Sequence, residues 1–233
     1  MNIRRKQHRA LVISFVLSLP IVKTRQASRD SASFHLHCNI HNMRLTSAVK
    51  RARNDYLRFY RLAVESKRRE APNLATELLI RLNGVDPTSI ESLWRVDMAV
   101  RAGNEPQLFE VNLDALSDPG NASMRLSTGV LVTAKPLVWN GVEFHTDLPG
   151  GVDESSVRPW FERWIDLADA KPRDRFGFAS VIHSVTRRGQ ESCGHHLAVD
   201  FGTAPVIALM ELFQLLASLG ATDITIDSCC YGG

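Results

Sequence analysis

The chain has 233 residues, 44% hydrophobic, 23% charged and 7% aromatic, with a formal net charge of +3. Four cysteines and ordinary glycine and proline contents exclude a disulfide scaffold, a collagen-like repeat and a low-complexity tail. The length suits one domain or two small ones, but the charge is uneven: residues 1–70 carry 16 Lys and Arg against 4 Asp and Glu, and residues 71–233 carry 12 against 21.

Residues 1–42 open with Arg4, Arg5, Lys6 and Arg9, followed by the apolar run Ala10–Val22. That is the outline of a secretory signal. No small-x-small pair follows it, however, and Lys23, Arg25 and Arg29 put positive charge on the far side. The run holds 13 residues, and a membrane span needs roughly 20. The segment is therefore read as a leader outside the fold, with no membrane span. The expected location is cytoplasmic, or secreted if the leader acts as a signal. Within it, His35, His37, Cys38 and His41 are zinc-type ligands. They come from one short stretch with no Cys-x₂-Cys partner, so no metal is assigned to them.

From Arg44 the apolar residues Leu45, Ala48, Val49, Ala52, Tyr56, Phe59, Tyr60, Ala63 and Val64 fall at helical spacing. Lys50, Arg51, Arg53, Arg58, Arg61, Lys67, Arg68 and Arg69 occupy the other face. Pro72 ends the helix, and Asn73–Leu82 reads as a second, short one. A basic helix with interleaved aromatics invites a nucleic-acid reading. The tyrosines and Phe59 lie on the apolar stripe, though, and the rest of the chain is acidic, so nucleic acid is not the expected partner.

Trp94–Arg101 and Phe109–Asp114 alternate with a period of two and form a hairpin across Gly103-Asn104. Another strand follows from Met124 to Ala134, and Asn140-Gly141 reads as a type I′ turn. Val157–Ala168 is helical. Phe178–Val185 and His196–Phe201 read as strands around a turn at Arg187–Gly194. The helix Ala204–Leu219 is apolar nearly all round, which makes it a core element or a surface for self-association. A last strand spans Asp223–Asp227. The expected fold is α+β: a helical arm over residues 43–84, then a mostly antiparallel sheet over 90–233. That sheet is built from two ββα-like units, with its helices on one face.

The chain has no phosphate loop, no nucleophile elbow and no His-Glu-x-x-His helix. His145, Asp147 and Asp200 sit at strand ends ahead of helices, where a histidine oriented by a carboxylate serves as a general base. An aspartate there is also an ordinary helix cap. A second group, His183, Cys193, His195 and His196, surrounds a hairpin, and Cys229-Cys230 read as free thiols. No cofactor and no metal are assigned. The composition favours a soluble, non-enzymatic protein-binding module of adaptor or inhibitor type. The alternatives are a small hydrolase using His145, Asp147 and Asp200, or nucleic-acid binding through residues 44–69. No enzyme class is fixed.

Overall fold

The computed structural model describes residues 3–4, 40–102, 105–112, 122–191 and 194–228. The long helix α1 (Ile40–Glu70) comes first among the major elements, 31 residues or about 46 Å of rise. Its stripe of Leu45, Val49, Ala52, Tyr56, Tyr60, Ala63 and Val64 is buried, as the spacing requires. It starts three residues ahead of Met43, inside the segment read as leader. Ile3–Arg4 (β1) pairs antiparallel with Val111 and Glu110 of the first sheet.

The first sheet has the order β1-β4-β3-β2, with β2 at Leu74–Arg81, β3 at Leu93–Ala102 and β4 at Glu105–Val111. The hairpin expected from alternation is β3–β4, with Met98 opposite Phe109. The expected short helix at 73–82 is instead β2. Its leucine spacing suits a helix, but a ten-residue helix is marginal in water. Antiparallel pairing with β3 from Leu74↔Val100 to Arg81↔Leu93 satisfies the backbone across its whole length.

The second sheet has six strands in the order β5-β6-β10-β7-β9-β8. These are β5 (Ala122–Arg125), β6 (Leu131–Ala134), β7 (Val142–Thr146), β8 (Ser184–Glu191), β9 (Gly194–Asp200) and β10 (Asp223–Asp227). All pairs are antiparallel except β6 with β10. The single strand expected over 124–134 is a hairpin, closed where the Leu126 amide donates to Val130 O at 2.9 Å and Gly129 takes φ +90°. Asn140-Gly141 does turn the chain, the Gly141 amide donating to Val138 O. Neither residue takes positive φ, so the turn is not type I′, and the following strand pairs with β9 and β10. Residues 178–183, expected in a strand, are irregular, with Ser180 at φ +58° and scattered backbone partners before β8 begins.

Helices α2 (Glu154–Ile165) and α3 (Val206–Ser218) follow β7 and β9. They cover the sheet face carrying Phe144, Leu197, Ile226 and Val132, where Phe144 meets Phe213 at 6.0 Å between ring centroids. The β8–β9–α3 unit is a true ββα. The β6–β7–α2 unit has the same strand–strand–helix order along the chain, with β10 inserted between its two strands in the sheet. In α3, Ala208, Leu209, Leu212, Phe213 and Leu216 are buried, while Ile207 stays exposed. Among the described residues no helix is long and apolar enough to cross a membrane.

Candidate functional site

Two polar systems lie between α1, the first sheet and residues 172–204. One is buried and one is open.

The buried system centres on His183. Glu77 of β2 adopts φ +51°, which breaks the strand's alternation and turns its side chain inward. One carboxylate oxygen accepts the Ala179 amide at 2.5 Å; the other accepts the Thr203 hydroxyl and lies 3.0 Å from His183 Nε2. On the opposite edge of the imidazole, Nδ1 is 2.9 Å from Asp97 Oδ1 and 3.9 Å from Asp200 Oδ2. The Asp97 contact has ion-pair distance without hydrogen-bond alignment. Asp97 also accepts the Tyr56 hydroxyl at 3.0 Å and the Val111 amide at 2.6 Å, and its carbonyl accepts from Tyr60. His183, Glu77, Tyr56 and Tyr60 are fully buried.

Three carboxyl groups around one imidazole set the protonation. Burial opposes charge on His183, but Asp200, Asp97 and Glu77 together hold its pKa well above the ordinary value, favouring the imidazolium. Burial pushes Asp200 up to about 7; Asp97 adds to the rise and His183 opposes it. Burial, reinforced by Asp97, raises both tyrosines. Gly202 is fitted to this cluster: at φ +45°, a Cβ there would stand 2.2 Å from the imidazole Cδ2. Alongside, the buried Arg95 donates to Ile165 O at 2.6 Å, Glu77 O at 2.7 Å, Asp166 O at 2.6 Å and Asp169 Oδ1 at 2.8 Å. A guanidinium on the last carbonyls of α2 satisfies groups that the helix leaves unpaired. It also anchors the strained Glu77 backbone.

The open system is a groove of about 360 Å³ lined by Arg53, Leu57, Arg61, Arg173, Phe178 and Thr203, among others. The basic face of α1 here meets backbone carbonyls rather than the acidic sheet. Arg53 donates to Ala204 O at 2.7 Å and Thr203 O at 3.2 Å, and Arg68 to Phe176 O at 2.8 Å. Arg61 and Arg175 lie over the Phe176 ring at 5.5 and 4.7 Å. The acid in the groove, Asp174, accepts from the Phe176 and Phe178 amides.

No known protein family, curated protein or solved structure matches this chain.

The residues singled out from sequence do not gather. His145 pairs with Asp227 of β10 at 2.9 Å. Asp147 accepts the Thr222 amide at 2.9 Å, together with the Thr222 hydroxyl, and these bonds hold its pKa down. Asp200 belongs to the His183 cluster. Because Val142 pairs with Val199, Asp200 lies before the start of β7 and Asp147 past its end. At 3.3 Å per residue they are about 20 Å apart along the strands. Neither aspartate caps a helix: Asp153 caps α2, and α3 has no side-chain cap. Of the second group, His183 is in the buried cluster. Cys193, His35, His37, Cys38 and Cys229-Cys230 lie outside the described residues, and His41 falls in the first turn of α1. Glu77 and Asp97 carry the cluster and were not singled out. The available signal was an acid inside the apolar run Leu74–Ile80 and another inside a strand's apolar alternation.

Proposed function

We propose that the chain is a non-enzymatic binding module that recognises an acidic segment of a partner protein in the groove between α1 and residues 172–180. The observation that carries this is the division of polar groups. The histidine–carboxylate cluster is spent on internal partners and, apart from the 22%-exposed Asp200 side chain, closed to solvent. Guanidinium groups line the open groove instead. Burial and the neighbouring Arg61 charge lower the pKa of Arg53, so an incoming carboxylate relieves like-charge crowding. Arg–carboxylate pairs also have directional, two-pronged geometry.

The test is fluorescence anisotropy with a labelled poly-glutamate peptide. Binding is expected at low salt, weakening as salt rises, and weaker by about tenfold in Arg61→Glu, equivalent to about 1.4 kcal/mol. Equal affinity in the variant, or no binding at low salt, refutes the proposal. A labelled single-stranded oligonucleotide that binds more tightly than the peptide moves the assignment to nucleic acid.

A further inference from the structure

The polar face of the six-stranded sheet, opposite α2 and α3, carries a second constellation. Glu143 and His145 are two residues apart on β7 and so share a face. The neighbouring strand β10 sets Asp227 directly opposite Glu143. One ligand atom from each of the three lies within 4.8 Å of the others. His145 Nε2 is 2.9 Å from Asp227 Oδ1, and their side chains are 25% and 18% exposed. Glu143 is 4% exposed. Lys135 reaches only the other Asp227 oxygen, at 3.8 Å.

We propose that Glu143, His145 and Asp227 form a binding site for a borderline divalent transition metal of the zinc type. Two lines of reasoning support it. A nitrogen and two carboxylate oxygens suit a borderline cation better than magnesium or calcium, which prefer all-oxygen shells. The 2.9 Å nitrogen–oxygen separation is also close to the edge of a coordination shell with bonds of about 2.1 Å. The ligands come from two central, hydrogen-bonded strands, so the backbone already fixes their spacing. The site belongs to neither the His183 cluster nor the arginine groove, and it stands or falls independently of the proposed acidic partner.

The test is zinc titration of the full-length protein by calorimetry under reducing conditions. Wild type is expected to bind one zinc equivalent that Glu143→Gln, His145→Ala and Asp227→Asn each lose or weaken by about tenfold or more. A variant lacking His35, His37, Cys38 and His41 is expected to keep that equivalent. X-ray absorption of wild type loaded with one equivalent needs no substitution and is expected to show a nitrogen/oxygen shell containing imidazole. The proposal is overturned if wild type binds no zinc, if the three variants bind it unchanged, or if sulfur enters the first shell.

Discussion

Replacing Glu77 by alanine removes the carboxylate that accepts the Ala179 amide and the Thr203 hydroxyl and faces His183 Nε2 at 3.0 Å. Truncating one member of a buried ion pair costs about 3–5 kcal/mol, because the remaining charge stays buried. The orphaned Ala179 donor adds about 1–3 kcal/mol. Against a total stability of about 5–15 kcal/mol, the alanine variant is expected to lose roughly half its margin. Glycine at the same position loses the same contacts but relieves the φ of +51°, which costs a residue with a Cβ about 1 kcal/mol. Glu77→Gly should therefore be about 1 kcal/mol more stable than Glu77→Ala. In an ordinary strand the order is the reverse, by about 0.5–1 kcal/mol. Urea unfolding at neutral pH, with the slope checked for two-state behaviour, measures both differences. A loss below about 1 kcal/mol in the alanine variant would refute the cluster as a stabilising unit. An alanine variant more stable than the glycine one would refute the left-handed backbone.

Gly202→Ala places a Cβ 2.2 Å from the His183 ring at φ +45°. Strain and overpacking together are expected to cost about 2–4 kcal/mol, read as a fall in Tm of about 5–12 °C; an unchanged Tm would contradict the packing. The pH dependence has a definite sign. The folded state holds the Asp200 proton up to about pH 7, against an ordinary value of 3.8, and holds the His183 proton beyond its ordinary 6.5. The native protein thus binds more protons than the unfolded chain through these windows, and stability must fall as pH rises. The Asp200 contribution is lost between its unfolded value and about 7; that of His183 is lost from 6.5 upward through its raised folded value. The slope is up to about 1.4 kcal/mol per pH unit for each proton. Urea midpoints that rise from about pH 5 to pH 8 would contradict this, and His183→Gln should flatten the upper part of the slope.

Periodicity located α1, the β3–β4 hairpin, α2, α3 and β10, because each buries one face against the core and the spacing of apolar residues reports that face. It failed at Leu74–Arg81, where Leu74, Leu78, Leu79 and Leu82 mimic a helix and only pairing with β3 decides the matter. It failed again at Leu126–Val130, where alternation continues through a turn that Gly129 makes possible. The His183 cluster was invisible for a different reason. Its members come from residues 56, 60, 77, 97, 183, 200 and 203, and no local pattern links them. Only tertiary contact brings them together, and the φ of +51° that turns Glu77 inward has no signature in the residue type. The aspartates 147 and 200 stood out by position at strand ends, but position alone does not distinguish a turn clamp such as Asp147 from a buried partner such as Asp200.

Thr203 is where the buried cluster and the groove meet. Inside, its hydroxyl donates to Glu77 and accepts the Val181 amide at 3.2 Å; outside, its carbonyl accepts from Arg53 at 3.2 Å. The guanidinium of Arg53 is thereby fixed on two backbone carbonyls before any partner arrives, and a group fixed in advance loses less entropy on binding. The same helix supplies Tyr56 and Tyr60 to the inside and Arg53, Leu57 and Arg61 to the groove, so any rotation of α1 disturbs both at once. An apolar replacement for the buried charges could match or exceed their contribution to stability. It would not hold the α1 tyrosines and the 179–203 segment in one orientation through directional bonds to Asp97, Glu77 and His183. The cost of burying those charges is thus offset by a fixed relation between the two walls of the arginine groove.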